Sequence, residues 1–302
     1  MDLSVIIVNY KTKQFLKSCL ESVFNQTCTY SFEVILINND SDDLSDIKRQ
    51  FPKIILLQNQ KNIGFVKAMN QGIKLSVSRY IMALNPDVIL ENNYIELLLK
   101  NLDKNKKFAS VTGKLRFYDF AKNRKTNIID STGLIMKKTR HAYDRGQGEN
   151  DNRQYDDKKD IWGVSAAAAI YLREALDNVK DKYGYFDERF FMYKDDVDLA
   201  WRLYNKKWKA LYVPEATSYH RRGTGIIDPN LSFFKKMHER KNTQSVEMRR
   251  LAFRNQRLMQ LKNDALISII KDLYIVIPFI VFSLLYILFF EPSLLIRKWK
   301  GV

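Results

Sequence analysis

Short apolar runs alternate with amphipathic stretches over the first hundred residues of the chain. Four runs are rich in β-branched residues and typical of buried parallel strands: Leu3–Val8, Phe32–Ile37, Ile54–Gln58 and Arg79–Leu84. Three stretches between them carry apolar residues at helical spacing: Lys13–Phe24, Leu44–Gln50 and Phe65–Ser76. This order predicts an α/β fold with a mainly parallel, doubly wound sheet.

Polar residues follow the predicted strands directly. The strand ends are Val8-Asn9-Tyr10, Ile37-Asn38-Asn39-Asp40 and Leu84-Asn85-Pro86-Asp87. In sheets of this kind, ligands bind beyond the carboxyl ends of the strands. The pattern therefore predicts a ligand site at this edge of the sheet.

The middle of the chain is more polar. Residues 117–159 are rich in Lys, Arg, Asn and Asp, which predicts a mobile excursion or a loop that covers substrate. Trp162–Leu172 is apolar again. Asp195–Asn205 is predicted to be a helix, because its first turn holds three acids where the helix dipole favours them.

The last third of the chain is basic and then apolar. Between Arg221 and Lys262 there are eleven Lys or Arg and three acids, on what we predict to be one long helix. Tyr274–Phe290 follows, with no charged residue.

Composition and charge limit the class of protein. The 302 residues are 46% hydrophobic, which excludes disorder as a description of the whole chain. The net charge of +16 predicts an anionic partner, whether nucleic acid, an acidic membrane surface or a phosphorylated substrate. Cys19 and Cys28 have no spacing of a zinc site, and the first residues lack the features of a signal peptide. We therefore expect a cytosolic protein with reduced thiols.

No glycine-rich phosphate loop follows the first predicted strand, which argues against dehydrogenases and P-loop NTPases. A diphosphate would then be held by a divalent metal ion, and such a cation requires carboxylates. Asp87 is the best-placed candidate, although Asn85-Pro86-Asp87 is also ordinary turn chemistry.

Asp195, Asp196 and Asp198 form a second group of chemical interest. Their mutual repulsion should raise the pKa of at least one of them, as a general base requires. Asp198 and Arg202 are four residues apart and can pair. The alternative is a helix start with favourable acids and a surface salt bridge. His220 is a third candidate, and the alternative for it is a packed or solvated histidine.

Taken in order, these motifs resemble the family-2 inverting glycosyltransferases of GT-A fold, and among them the rhamnosyltransferase-like branch that builds bacterial surface polysaccharides. The segments that carry the resemblance are Leu3–Tyr10, Ile37–Ser41, Asn62–Phe65 with Asn70 and Gly72, Leu84–Asp87, Asp195–Arg202 and His220. The resemblance implies a Rossmann-like catalytic domain over residues 1–220. Residues 221–302 would form a basic helical region and an apolar tail.

The resemblance also implies roles for individual residues. Asp87 corresponds to the last acid of the family's D-x-D metal motif, whose first position is Asn85 here, and His220 matches a late metal or diphosphate ligand. Mn²⁺ or Mg²⁺ is the expected cofactor. Asp195 and Asp196 fall on the acidic pair, and we assign the catalytic base to Asp196. The nucleotide sugar is expected to contact Val8, Tyr10, Asn39, Asn62, Asn85, Asp87, Trp162 and Arg202.

These roles describe one reaction. The metal neutralises the leaving diphosphate, and Asp196 accepts the proton of the acceptor hydroxyl during a single inverting displacement. We expect rhamnose from dTDP-rhamnose as the donor and a polyprenyl-diphosphate-linked saccharide as the acceptor. The alternatives are a non-catalytic sugar-nucleotide-binding scaffold and a basic nucleic-acid-binding protein. Because the basic stretch adjoins an apolar tail, we expect no nucleic acid partner.

Tyr274–Phe290 lies at the lower limit for crossing a bilayer, which takes about 20 apolar residues. Basic residues flank it on both sides, so the charge distribution gives no orientation: Lys262 and Lys271 precede it, and Arg297, Lys298 and Lys300 follow it. With Pro278 inviting a kink, the run predicts an in-plane or re-entrant helix on an anionic cytoplasmic leaflet, as in a peripheral or monotopic inner-membrane protein. The alternative is a buried oligomerisation helix in a homo-oligomer.

Overall fold

The computed structural model describes residues 1–223 and 231–295. Its strands are β1 (Leu3–Asn9), β2 (Phe32–Asn38), β3 (Ile55–Gln58), β4 (Tyr80–Leu84), β5 (Val88–Leu90), β6 (Phe108–Asp119), β7 (Arg124–Ser131), β8 (Leu134–Met136), β9 (Ala142–Asp144), β10 (Asp160–Ile161), β11 (Ala168–Leu172) and β12 (Lys209–His220). Its helices are α1 (Lys13–Phe24), α2 (Ser45–Gln50), α3 (Phe65–Leu75), α4 (Tyr94–Asp103), α5 (Arg173–Val179), α6 (Asp195–Asn205), α7 (Phe233–Thr243), α8 (Val246–Asn263), α9 (Leu266–Lys271) and α10 (Leu273–Phe290).

The central sheet has the strand order β10-β12-β6-β11-β4-β1-β2-β3, with β5 paired to β12 and β7 paired to β6. β1 runs parallel to β2 and β4, and β2 runs parallel to β3. β11 is antiparallel to both of its neighbours. The predicted α/β class with a mainly parallel, doubly wound sheet is therefore confirmed.

The predicted elements of the first hundred residues, and the helix Asp195–Asn205, agree with the structure to within one residue at each end. Every residue of β1 and of β4 is buried, as expected for parallel strands covered on both faces. The helices α1 and α3 each bury one apolar side, which is the signal that predicted them. α6 was predicted from the acids of its first turn, and it buries two of them, Asp195 and Asp198.

The prediction of a loop over residues 117–159 is wrong. β6 extends to Asp119 and pairs with β7, and β8 and β9 form a separate two-stranded sheet. Several polar residues are buried here, among them Asp130, Arg145 and Asp151, and ion pairs make such burial possible. Lys114 Nζ lies 3.1 Å from Asp151 Oδ2, and both side chains are at most 4% exposed.

The prediction of one long helix between Arg221 and Lys262 is also wrong. Two helices, α7 and α8, occupy the described part of this stretch, and residues 224–230 lie outside it. Ser245 separates them and caps α8, since its hydroxyl accepts a hydrogen bond of 3.2 Å from the Met248 amide. α8 packs on α6. The domain division at residues 220 and 221 remains a prediction, and these contacts group α8 with the catalytic body.

The apolar run forms α10, whose mean hydropathy is 2.7 and of which 11% is buried. Among the described residues it is the one helix long and apolar enough to cross a membrane. Its Pro278 lies inside the helix. Arg297, Lys298 and Lys300, which we expected to flank the run, lie outside the described residues.

Candidate active site

The end of β12 brings His220 beside Asp87. β12 pairs antiparallel with β5, and His220 stands opposite Val88 in that register. His220 Nε2 consequently lies 3.3 Å from Asp87 Oδ1 and 3.4 Å from Asn85 Nδ2. Three residues that the sequence analysis placed in one site are therefore neighbours in the fold.

Asp130, at the end of β7, is a member of this site that the sequence analysis missed. Its Oδ2 lies 2.7 Å from His220 Nδ1, and its Oδ1 accepts a hydrogen bond of 2.5 Å from Arg222. Arg222 also pairs with Asp144 of β9 at 2.7 Å. Asp130 and His220 are 90 residues apart, so no local spacing could have linked them.

The charges of this cluster compensate one another. Burial opposes ionisation of Asp87, but the adjacent His220 outweighs it and lowers the pKa of Asp87. Burial likewise opposes ionisation of Asp130, and Arg222 and His220 lower the pKa of Asp130 below its usual range. Burial disfavours a charged His220, yet the carboxylates of Asp87 and Asp130 raise the pKa of His220 to about 10. The cluster of Asp87, Asp130 and His220 therefore stabilises the positive charge of a protonated His220.

The side-chain atoms of this cluster, a carboxylate oxygen and an imidazole nitrogen, are of the types that bind a divalent metal ion. Asp87 and His220 Nε2 converge, while Asp130 holds His220 Nδ1 in the way that carboxylates commonly orient a metal-binding histidine. Within residues 1–223 and 231–295, no group of three or more His, Cys, Asp or Glu side chains is placed to hold a metal. An ion held by Asp87 and His220 would take its remaining ligands from substrate phosphates and water, as Mg²⁺ commonly does.

The first turn of α6 carries the acidic pair. Burial, and then the charge of Asp196, raise the pKa of Asp195 to about 8. Burial and the charge of Asp144 raise the pKa of Asp196, and Lys194 partly offsets them. Repulsion within the acidic group thus contributes at Asp195, whereas at Asp196 the repelling acid is Asp144. Asp195 is buried and Asp196 is only half-buried, so Asp196 is the more accessible carboxylate.

Asp196 is electrostatically coupled to the histidine cluster through Asp144. Its strongest repulsive partner is Asp144, which pairs with Arg222, and Arg222 pairs with Asp130. Ion pairs thus connect the environment of Asp196 to that of His220. Sequence analysis could not have placed Asp144 here, because it assigned that segment to a loop.

The loop that enters α6 is strained. Phe191 has φ 63° and ψ −57°, and the Met192 amide donates a hydrogen bond of 2.7 Å to the Phe190 carbonyl, which is a classical γ-turn. Tyr193 and Lys194 follow with φ 68° and 65°. Left-handed backbone costs roughly 1–2 kcal/mol for each residue with a side chain. Strain of this kind persists only where surrounding contacts impose it.

The predicted nucleoside pocket lies at the carboxyl ends of β1 and β2. Val8 is buried and Tyr10 is half-buried. Asn39 donates a hydrogen bond of 2.9 Å to Asn62, and its Oδ1 accepts bonds of 3.1 Å from the Ile63 amide and from Asn59. Asn39 and Asn62 therefore hold together the loops that follow β2 and β3, and their role in nucleoside binding remains a prediction.

Trp162 and Arg202 contact the body of α6 instead of this cluster. Arg202 pairs with Asp198 at 2.8 Å, as predicted, and also donates to the carbonyls of Val179 and Tyr185. Trp162 packs against Trp201 and Tyr204, with ring centroids 6.3 and 6.2 Å away. The assignment of Trp162 and Arg202 to nucleotide-sugar binding remains a prediction. The observed contacts show that Trp162 packs on α6 and that Arg202 ties α6 to the carbonyls of Val179 and Tyr185.

Known proteins share this sequence pattern and fold. The family model for glycosyl transferase family 2 matches residues 4–180. The minor teichoic acid biosynthesis protein GgaB of Bacillus subtilis (strain 168) is 33% identical over 111 residues, which are 35% of this chain and 12% of GgaB. An N-acetylglucosaminyl-diphospho-decaprenol L-rhamnosyltransferase of Mycobacterium tuberculosis is 24% identical over 238 residues, 73% of this chain and 76% of that protein.

Solved structures agree on the fold. The crystal structure of GalNAc-T7 with UDP, GalNAc and Mn²⁺ superposes with a TM-score of 0.57 at 15% identity, over 72% of this chain and 43% of that chain. The match shows the GT-A fold. The chain thus spans less than half of GgaB and of GalNAc-T7. Because the family model covers more than half of the chain, the chain belongs to glycosyl transferase family 2.

Proposed function

We propose that this chain is a glycosyltransferase that transfers a sugar from a nucleotide sugar with inversion of the anomeric carbon, in a reaction that depends on Mn²⁺ or Mg²⁺. The observation that carries the proposal is the Asp87–His220–Asp130 cluster, whose ion pairs reach through Arg222 to Asp144, the carboxylate whose charge acts on Asp196. A base and a leaving-group site at one edge of the sheet are what a direct displacement needs.

In this proposal each residue has one task. Asp196 accepts the proton of the acceptor hydroxyl at its carboxylate, and a raised pKa makes it a stronger base near neutral pH. Asp87 and His220 hold the metal, with Asp130 orienting His220. When bound, the metal supplies positive charge against the leaving diphosphate. Val8, Tyr10, Asn39 and Asn62 form the nucleoside pocket.

The finer assignments rest on similarity. The relative from M. tuberculosis is named an L-rhamnosyltransferase of a decaprenyl-diphosphate acceptor, and the match covers 73% of this chain. We therefore propose rhamnose, from dTDP-rhamnose, as the sugar and a polyprenyl-diphosphate-linked saccharide as the acceptor. The product would belong to a bacterial surface polysaccharide.

A membrane-bound acceptor also suits the tail. α9 and α10 expose large apolar side chains, among them Ile267 at 79%, Tyr274 at 69% and Phe289 at 72%. The 18 residues of α10 span about 27 Å, close to the ~30 Å thickness of a bilayer core. We propose that the tail binds the cytoplasmic face of the inner membrane. Packing against a second copy of the chain is the alternative.

The experiment is an assay of nucleoside diphosphate release from a panel of sugar nucleotides, with Mn²⁺ or with excess EDTA. We expect release from one donor, and its loss in EDTA, in Asp87→Ala and in His220→Ala. Asp46→Ala removes an exposed acid of α2 and serves as the control. Full activity in EDTA would contradict the metal assignment. Donor binding without turnover would instead support a non-catalytic scaffold.

A further inference from the structure

Asn255 anchors the strained loop that precedes the acidic pair. It lies on α8 and is fully buried. Its Nδ2 group faces three carbonyl oxygens, those of Phe190 at 2.9 Å, Met192 at 2.8 Å and Tyr193 at 2.8 Å. Its Oδ1 accepts a hydrogen bond of 2.9 Å from Arg254. Both ends of the side chain are thus hydrogen-bonded, and its Nδ2 group holds the loop backbone.

The loop is clamped from a second side by α3. The Val66 amide donates a hydrogen bond of 3.1 Å to the Phe191 carbonyl. Gly64 has φ 88°, and a Cβ there would come within 2.5 Å of the Phe191 ring, so this contact requires glycine. The left-handed residues Phe191, Tyr193 and Lys194 are consequently fixed between α3 and α8.

The conformation of this loop sets where the acids point. Lys194 is the residue before α6, and its carbonyl accepts the hydrogen bond of 2.9 Å from the Asp198 amide in the first helical turn. A relaxation of Tyr193 or Lys194 to ordinary backbone angles would therefore redirect the start of α6, where Asp195 and Asp196 stand. The hydrogen bonds that Asn255 donates to carbonyls all leave α8, so they stabilise the loop and not the helix that carries Asn255.

We propose that Asn255 is a positioning residue for the catalytic carboxylates, acting through the backbone of residues 190–194. It lies beyond residues 4–180, which the family model matches, so a segment outside that match completes the active site. The proposal rests on the proposed function only in treating the acidic pair as the source of the base.

The first test measures the loop itself and needs no substrate. Amide hydrogen exchange of residues 190–197 is compared in the wild type, Asn255→Ala and Gln256→Ala. Gln256 is the matched control, since it is also buried and donates to a carbonyl, but to that of Arg140. We expect exchange in 190–197 to rise at least about tenfold in Asn255→Ala only. Unchanged exchange there would overturn the proposal.

The second test measures coupling to the acids. With the sugar nucleotide found in the panel, we expect Asn255→Ala to lower kcat by about 10–100-fold while KM for the donor changes less than about twofold. In the Asp196→Asn background the same substitution should have little further effect, because both changes act on one step. A full additional loss in that background would overturn the proposal, since it would indicate general destabilisation.

A second variant provides the control for a folding defect. Asn255→Leu keeps most of the side-chain volume and removes the donors, so it should reproduce the kinetic effect if Asn255→Ala folds poorly. An active Asn255→Leu enzyme with wild-type kcat would overturn the proposal. If no sugar nucleotide is turned over by the wild type, the proposed function fails, whereas hydrogen exchange still decides whether Asn255 holds the loop.

Discussion

Three enclosed carboxylates differ in the sign of their pKa shift. The pKa is lowered for Asp87 and Asp130 and raised for Asp195. Burial opposes ionisation in all three, so the sign depends on the neighbours. His220 acts on both Asp87 and Asp130, joined by Arg221 at Asp87 and by Arg222 at Asp130, and the two pKa values are lowered. Asp195 is repelled by Asp196 and Asp198, and its pKa is raised to about 8. The same fold thus keeps two buried carboxylates ionised and makes a third easier to protonate.

Asp196→Asn should abolish proton acceptance while preserving the shape of the site. We expect turnover to fall about 10²–10⁴-fold, with donor binding retained, and a milder effect for Asp195→Asn. Steady-state kinetics and calorimetric titration of the donor measure the two quantities. A larger loss in Asp195→Asn would transfer the role of base to Asp195.

Asp130→Asn should weaken metal binding although Asp130 is not expected to be a ligand. The neutral side chain orients and polarises His220 less well, and loss of such a partner typically costs about 10–100-fold in metal affinity. The Mn²⁺ concentration for half-maximal activity measures the effect, with Asp46→Asn as control. Equal values for Asp130→Asn and the wild type would show that Asp130 has no influence on the metal.

At the scale of elements, the hairpin β8–β9 links the catalytic body to the tail. Arg140, in the turn between these strands, pairs with Asp264 and with Asp272, both at 2.7 Å. It also donates a hydrogen bond of 2.9 Å to the Ser268 carbonyl. One buried guanidinium therefore fixes the junctions of α8, α9 and α10.

Arg140→Met should loosen these junctions, because it leaves two acids without their cation. Loss of one partner from a buried ion pair typically costs about 3–5 kcal/mol. Urea unfolding and hydrogen exchange over residues 264–273 measure the change. Lys125→Met is the control: it breaks an exposed pair with Glu91 and should cost less than about 1 kcal/mol. Equal losses of unfolding free energy in the two variants would contradict the role of Arg140 in holding these junctions.

Glu96 of α4 ties that helix to the chain before β2 in a pH-dependent way. Hydrogen bonds from Lys100 and from the Thr29 amide lower the pKa of Glu96 to about 2. Since the folded pKa lies below the unfolded value of about 4.3, the stabilisation is complete above that pH and is lost as the pH falls toward 2.

We therefore expect Glu96→Gln to lower the free energy of unfolding by about 1–2 kcal/mol at pH 7, and by less at pH 3. Denaturant unfolding at the two pH values measures this. Glu21→Gln, which removes an exposed acid 3.9 Å from Lys17, should change it by less than about 0.5 kcal/mol. An equal loss of unfolding free energy at pH 7 and pH 3 in Glu96→Gln would contradict the proposed link between the ionisation of Glu96 and stability.

At the scale of the whole molecule, basic helices and the apolar tail lie together. Lys241 donates a hydrogen bond of 3.0 Å to the Phe290 carbonyl, and Arg249 pairs with Glu291 at 2.8 Å. Part of the positive charge between Arg221 and Lys262 is therefore used to hold the end of α10. Other cations of this stretch, such as Lys235 and Arg240, are exposed.

Removal of residues 274–302 should release the protein from anionic vesicles while hydrolysis of the donor continues. Salt alone should extract the full-length protein only partly, because screening shortens the Debye length from ~10 Å at 0.1 M to ~3 Å at 1 M but does not affect apolar burial. Co-sedimentation at low and high salt measures both contributions.

Point variants provide the control for that truncation. Leu285→Ser combined with Phe289→Ser should weaken vesicle binding without unfolding, since both side chains are exposed. Val77→Ser, at a position 89% exposed near the end of α3, should leave binding unchanged. Loss of oligomeric state with unchanged vesicle binding would assign the tail to subunit contact.

The sequence by itself determined the strands β1 to β4, the helices α1 to α3 and α6, and the apolar run of α10. Each has a periodicity or a capping pattern that depends only on nearby residues. It also identified Asp87, His220 and the acidic pair as candidates, because motifs mark them. The break before α8 has a local cause, the Ser245 cap, which the sequence analysis missed. Only the tertiary structure decided the hairpins of residues 117–159. There, polar side chains become buried by pairing with partners that are far away in sequence. Asp130, Arg222 and Asn255 entered the site description for the same reason: their partners lie 62 to 92 residues away, and such pairing leaves no local pattern.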